Sequence, residues 1–253
     1  MIPGAVTVGY LHPGRYAACF AESLFDMFLH DITGPGRMLH AHGKMAKECA
    51  ANGIVSGRNE LARLTIAGEA EWLFMVDSDM GFAADTVERL IEAADPVERP
   101  VVGGLCFANK VSEKKDFFGM AFECQPTVYH FVDLPDKVGF APMFDYPRDQ
   151  MVPCAATGGA CVLIHRTVLE AILAKYGARW FDCIEHAKGP TVFSEDLSFA
   201  IRVAGCDFPM FVHTGVKTTH DKGAAFIDEP FFDAQEAMRT YQKSLDKESG
   251  VAA

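Results

Sequence analysis

The sequence predicts an α/β fold with a mostly parallel central sheet flanked by helices. Two observations predict it. Short apolar, β-branched runs alternate with segments whose apolar residues recur at helical spacing. The chain also has 253 residues, 49% hydrophobic and 23% charged, which is ordinary material for one folded unit of this class.

Ala5 to Tyr10 (AVTVGY) reads as a buried strand, broken by His12-Pro13-Gly14. Ala17 to Leu29 places Phe20, Leu24, Met27 and Phe28 on one helical side, and Gly34-Pro35-Gly36 ends that unit. Met38 to His40 reads as a second short strand. Ser56 or Gly57 suits the cap of a helix through Arg58, Asn59, Leu61, Leu64 and Ile66. Trp72 to Val76 (WLFMV) is a strand that stops at Asp77. Asp85 to Ala93 is a helix with Val87, Leu90 and Ile91 inward, and Val101 to Leu105 is a strand.

From 109 to 152 the chain is rich in Pro, Asp, Phe and Tyr, so short strands and long loops are expected there. A strand at Ala160 to Ile164 precedes a helix at Thr167 to Tyr176. Ser194 caps a further helix, which Gly205 ends. Two strands, Phe208 to Val212 and Val216 to Thr219, follow, and Asp233 to Leu245 has helical spacing.

The formal net charge of −11 and the lack of any Lys/Arg run argue against nucleic acid as partner. Eight cysteines occur without a CxxC pair, mostly in apolar stretches, and read as small core residues of a reducing compartment. Cys183 and His186 have metal-like spacing, but no second pair matches them. No apolar run has the length of a membrane span, and the N-terminus lacks signal-peptide character. A soluble, cytoplasmic protein is expected.

Four elements carry candidate chemistry. Asp77-Ser78-Asp79 stands at the carboxyl end of a strand, where open α/β sheets bind ligands. Side chains two apart in an extended chain face the same way, so both carboxylates would converge on one cation. The tripeptide also suits a capping pair opening the next helix. Ser194-Glu195-Asp196 opens a helix, where acidic residues complement the dipole; a carboxylate there also suits a general base. His220 follows an apolar segment and suits a metal ligand or a structural role. Arg58, Asn59 and Arg63 suit a diphosphate or a solvated helix face.

The order of these segments resembles the GT-A glycosyltransferases, notably bacterial and bacteriophage members similar to the large inverting family 2. The resembling segments are VTVGYLHPGR, SGRNELARLTI, EWLFMVDSDMGF, ATGGACVLIHR, FSEDLSFAIRVAG and HTGVKTTH, which together span nearly the whole chain. The resemblance implies a single GT-A (Rossmann-like) domain over 1–253. Its parts would be a nucleotide-sugar-binding half (1–108), an acceptor-side half with a smaller sheet (109–230), and a C-terminal helix and tail (231–253). That helix is an expected oligomer contact.

The activity implied is metal-dependent transfer of a sugar from a nucleotide-sugar, UDP first, to a hydroxyl of a protein, glycan or lipid acceptor. Asp77 and Ser78 would lie near ribose and diphosphate. Asp79, with Asp77 and His220, would hold Mn²⁺, or Mg²⁺ as second choice. Tyr10 and its neighbours would meet the nucleobase, and Arg58 and Asn59 would line the nucleotide pocket. Gly158 and Gly159 would allow close approach on the acceptor side. Asp196 matches the base of inverting members, with Glu195 supporting it. The segment 109–152 matches no family motif and is expected to shape acceptor choice. Two alternatives are a sugar-nucleotide nucleotidyltransferase, faintly echoed by Gly34-Pro35-Gly36-Arg37-Met38, and a non-catalytic nucleotide-sugar or glycan-binding module. A DxD phosphatase would need its Asp pair after the first strand, and a dinucleotide enzyme would need GxGxxG.

Overall fold

A computed structural model of the chain describes residues 1–45, 53–111, 122–134, 137–186, 192–223 and 225–248. Cys49, expected in the core, lies outside the described residues. The α/β expectation is met. The large sheet runs β2 (Met38–Met45), β1 (Ile2–His12), β3 (Ala70–Asp77), β12 (Cys161–His165), β5 (Val101–Leu105), β13 (Met210–Asp221), β10 (Met151–Cys154). Pairs β1·β2, β1·β3 and β13·β5 are parallel; β12 is antiparallel to both its neighbours, and β10 to β13. The sheet is therefore mixed, with most strands pointing one way.

Side chains alternate across the sheet, and each face buries a different helix layer. From β3, Trp72, Phe74 and Val76 pack with Phe20 and Met27 of α1 (Ala18–Thr33) and Val87 and Leu90 of α3 (Thr86–Ala93). Leu73 and Met75 face the other way. They join Leu61 of α2 (Gly53–Ala67), Leu169 and Ile172 of α4 (Arg166–Tyr176), and Phe199 and Val203 of α5 (Glu195–Gly205). A third cluster sets Phe232 of α6 (Glu229–Glu248) against Phe107, Tyr146 and Val212.

The expectation of short strands after 109 and of a smaller sheet is also met. β8 (Val128–Leu134) lies between β9 (Lys137–Pro142) and β11 (Ala156–Thr157), and β6 (Phe107–Val111) pairs β7 (Phe122–Pro126). Two further short strands, β4 (Met80–Phe82) and β14 (Phe226–Ile227), attach to β13.

Some boundaries differ from the sequence reading. The two late strands are one, β13, because Gly215 does not end the strand but lies where its register against β5 shifts, between His213 and Lys217. α2 is already helical at Gly53, ahead of the expected Ser56/Gly57 cap. The end of α5 at Gly205 is as read, and Asp207 beyond it takes a positive φ of 62°. Cys106, Cys124 and Cys161 are buried, whereas Cys183 is exposed and departs from the core reading. Among the described residues, no helix is long and apolar enough to cross a membrane.

The path of the chain positions the site. From β1, α1 crosses one face of the sheet to β2. From β2, α2 crosses the opposite face to β3, on the other side of β1. The winding thus reverses between β1 and β3. In open α/β sheets the crevice beyond the carboxyl ends of the strands at such a reversal is where ligands bind.

Candidate functional site

A cleft of about 770 Å³ occupies that crevice. Leu11, His12 and Pro13, which end β1, form one wall, and Asp77, Ser78 and Asp79, which end β3, form another. Arg15 and Tyr16 enter from the loop before α1, Arg58 from α2, and Glu195 from the first turn of α5. Asp221, Lys222 and Gly223 close it from the end of β13.

The two aspartates take different partners. Asp77 keeps the parity of Leu73 and Met75, so its carboxylate points toward α2. There Arg58 Nη2 donates to Asp77 Oδ1 at 3.1 Å, and Arg58 Nη1 lies 3.2 Å from Glu195 Oε1. Arg58 is 5% exposed. Burial disfavours its charge, but Asp77, Glu195 and Asp196 outweigh that and raise its pKa. β3 ends at Asp77, so the two-residue rule stops applying there. The expected convergence of Asp77 and Asp79 on one cation is replaced by two separate attachments.

Asp79 meets the far end of the chain. β4 pairs antiparallel with β13, setting Met80 opposite His220, and the Asp221 N–H donates to the Asp79 carbonyl at 2.8 Å. His220, 141 residues later in sequence, thereby places Nε2 3.1 Å from Asp79 Oδ2. Lys222 Nζ donates to the same oxygen at 3.0 Å. Burial alone would push the Asp79 carboxyl up; His220 and Lys222 outweigh it and hold it at about 2.

His220 is held from behind. Its Nδ1 lies 2.8 Å from the Phe107 carbonyl. A carbonyl only accepts, so Nδ1 is the donor there, and Nε2 is the nitrogen turned toward Asp79. Facing a carboxylate oxygen, Nε2 either donates a proton to it or, with that proton gone, shares a cation with it. An imidazole fixed through its other nitrogen and a carboxylate oxygen form a donor set that first-row divalent ions take. Their 3.1 Å separation is ordinary for neighbouring ligands of one ion, with metal bonds of ~2.1 Å near right angles. The residues therefore fit a divalent cation by two protein donors. Among the described residues no group of three His, Cys, Asp or Glu is so placed, so further ligands would come from water or a bound anion, as Mg²⁺-type sites allow.

The remaining expected residues are distributed as follows. Ser78 lines the cleft, 8% exposed. Tyr10 stands behind it, ring to ring with Phe20 and Tyr16, while His12 and Tyr16 present the aromatic surface in the cleft, 4.8 Å between ring centroids. Asn59 spends its amide on Asp182 (2.7 Å) and the Phe181 N–H (2.9 Å), pinning α2 to that loop. Arg63 is exposed and pairs with Glu60 at 2.6 Å.

Gly159 lies under the Arg58 guanidinium, where a Cβ would come within 2.6 Å of Cζ; Gly158 packs on Thr127. Both line a second, small cavity together with Asp196. Asp196 Oδ1 accepts from its own helix N-terminus, the Leu197 N–H at 2.8 Å, and from the Ser194 hydroxyl. Of the two carboxylates opening α5, Glu195 is the one that lines the main cleft.

Sequence reasoning missed His12, Arg15, Tyr16 and Lys222. A signal existed for Lys222, a cation close behind the candidate metal ligand His220 in the sequence.

No family model matches the chain. No curated protein matches it either. Among the solved structures that resemble it are two at low identity. A197 from STIV is 13% identical, with 86% of this chain and 85% of that one covered, at a TM-score of 0.46. GalNAc-T7, crystallised with UDP, GalNAc and Mn²⁺, is 10% identical, with 85% of this chain but only 43% of that one covered, at a TM-score of 0.49. Both scores fall below 0.5, and no residue role is carried over from either structure.

Proposed function

We propose that the chain is a glycosyltransferase that moves a sugar from a nucleotide-sugar to an acceptor hydroxyl. The observation that carries this reading is the approach of buried His220 to Asp79, which lines the cleft at the reversal between β1 and β3. A nucleotide-sugar presents a flat base, a ribose, a diphosphate and a sugar in line. The cleft offers matching chemistry: His12 and Tyr16 for a ring, Asp77 and Ser78 for hydroxyls, and Asp79 and Lys222, with His220 behind Asp79, for phosphate.

Asp79 and His220 would hold the divalent ion, Mn²⁺ first, which supplies positive charge to the diphosphate as it leaves. Arg58 fixes Asp77 and Glu195 relative to each other, joining the donor wall to α5. A carboxylate opening α5 would take the acceptor hydroxyl's proton. We favour Glu195 over Asp196 for this role, because Glu195 reaches the main cleft and Asp196 Oδ1 is engaged by Ser194 and Leu197. Inversion at the anomeric carbon follows if that base acts from the face opposite the diphosphate.

A second reading, a nucleotide-sugar-binding module without catalysis, draws on the ties that both carboxylates already have, Glu195 to Arg58 and Asp196 to its own helix. One experiment separates the two. A thermal-shift panel of nucleotide-sugars with and without Mn²⁺ should select one donor by raising the melting temperature. That donor should then be hydrolysed or transferred by the wild type and left intact by a folded Asp79→Ala variant. Binding without turnover in the wild type, across an acceptor panel, favours the module. Full turnover by Asp79→Ala sinks the assigned site.

A further inference from the structure

The cleft has to receive an anion although it is lined by four carboxylates, Asp77, Asp79, Glu195 and Asp221. Its cations are Arg15, Arg58 and Lys222. Arg58 is spent on Asp77 and Glu195 beneath the floor. Lys222 is placed differently. Its ammonium sits on Asp79 Oδ2, the same oxygen that faces His220 Nε2, and its side chain is 26% exposed.

The backbone that carries Lys222 is built. The Lys222 N–H donates to the Ala225 carbonyl at 3.0 Å, and the Gly223 N–H donates to Asp221 Oδ1 at 2.7 Å. Gly223 has φ of +73°, a conformation that glycine takes without strain and that tightens the turn. Lys222 is thus aimed at Asp79 by the end of β13 and by this turn together.

An ammonium on a flexible stem is a point charge with three donors. One donor holds Asp79, leaving two for a guest. A divalent ion bound between Asp79 and His220 would need the oxygen that Lys222 now occupies. Resting on the donor reading above, we propose that Lys222 is a phosphate ligand of this cleft, and that it and a divalent ion are alternative partners of Asp79 Oδ2. The cleft then keeps a positive pole when no metal is bound. Arrival of a metal frees the ammonium to turn fully to the phosphates.

The test uses inorganic pyrophosphate and Mn²⁺ as separate probes on the full chain. Calorimetry in EDTA should show pyrophosphate binding to the wild type, a loss of about tenfold or more in Lys222→Met, and near-wild-type binding in Lys222→Arg, which keeps the charge. Mn²⁺ alone, followed by the spin-resonance signal of the free ion, should bind several-fold more tightly to Lys222→Met than to the wild type, because its competitor is gone. Melting curves confirm that both variants are folded. Unchanged pyrophosphate affinity in Lys222→Met, or unchanged Mn²⁺ affinity, overturns the proposal while leaving the donor cleft standing. A wild type that binds pyrophosphate neither in EDTA nor with Mn²⁺ overturns both.

Discussion

Replacing Arg58 by methionine tests whether the ion cluster under the cleft holds α2, β3 and α5 together. The side chain is 5% exposed and touches Asp77 at 3.1 Å and Glu195 at 3.2 Å. Methionine fills a similar volume without the charge, so the two carboxylates are left without their cation. Removing one member of a buried ion cluster costs about 3–5 kcal/mol. The Asp77 and Glu195 side chains are 33% and 22% exposed, so water takes over part of the solvation and the lower figure, about 3 kcal/mol, applies. For a chain of this length that lowers the melting temperature by roughly 6–12 °C.

Urea and thermal unfolding measure it directly, and a double-mutant cycle checks the cause. Arg58→Met combined with Glu195→Gln should be less destabilised than the sum of the two single variants, because an uncompensated charge has been removed. Gly159→Ala should act in the same direction, since its Cβ pushes on the same guanidinium. An Arg58→Met protein within about 0.5 kcal/mol of wild type, or a cycle without coupling, would refute the reasoning.

Two further outcomes follow from the site. Glu195→Gln should keep donor binding and lower turnover by about 10²-fold or more, with Asp196→Asn costing less; steady-state kinetics beside donor titration decides, and the reverse ranking returns the base to Asp196. Asp79 is one pH-sensitive element of the fold: its folded carboxyl lies at about 2, below its ordinary 3.8. A depressed folded pKa gives stability that is present above pH ~4 and lost as pH falls through about 2. The gap in melting temperature between wild type and Asp79→Asn should therefore hold steady above that range and close below it; a gap independent of pH down to 2 would show that the ionised carboxylate is not what stabilises.

Much of the frame is legible because apolar periodicity reports the faces of buried strands. The strand at Val101–Leu105 has the bounds read from its residues, and WLFMV lies within β3. The antiparallel direction of β12 is not legible, since it depends on how the chain returns after the long excursion from 109 to 152. The residues between Val212 and Val216 read as a break between two strands, and only the partner β5 shows a register shift within one strand there. In the site, the approach of His220 to Asp79 follows from one strand pairing, β4 with β13, which no local pattern encodes. The split of Asp77 from Asp79 depends on where β3 stops. The choice between Glu195 and Asp196 depends on helix rotation, which adjacent acidic residues do not reveal.

The central claim is that Asp79 and His220 together hold the ion of a nucleotide-sugar site. A crystal of the protein soaked with Mn²⁺ and UDP tests it most directly, using the anomalous signal of manganese to place the ion. The ion should lie within about 2.0–2.3 Å of both an Asp79 carboxylate oxygen and His220 Nε2, with diphosphate oxygens completing its shell. An ion held elsewhere, or an occupied site from which the His220 ring is turned away, would contradict the account.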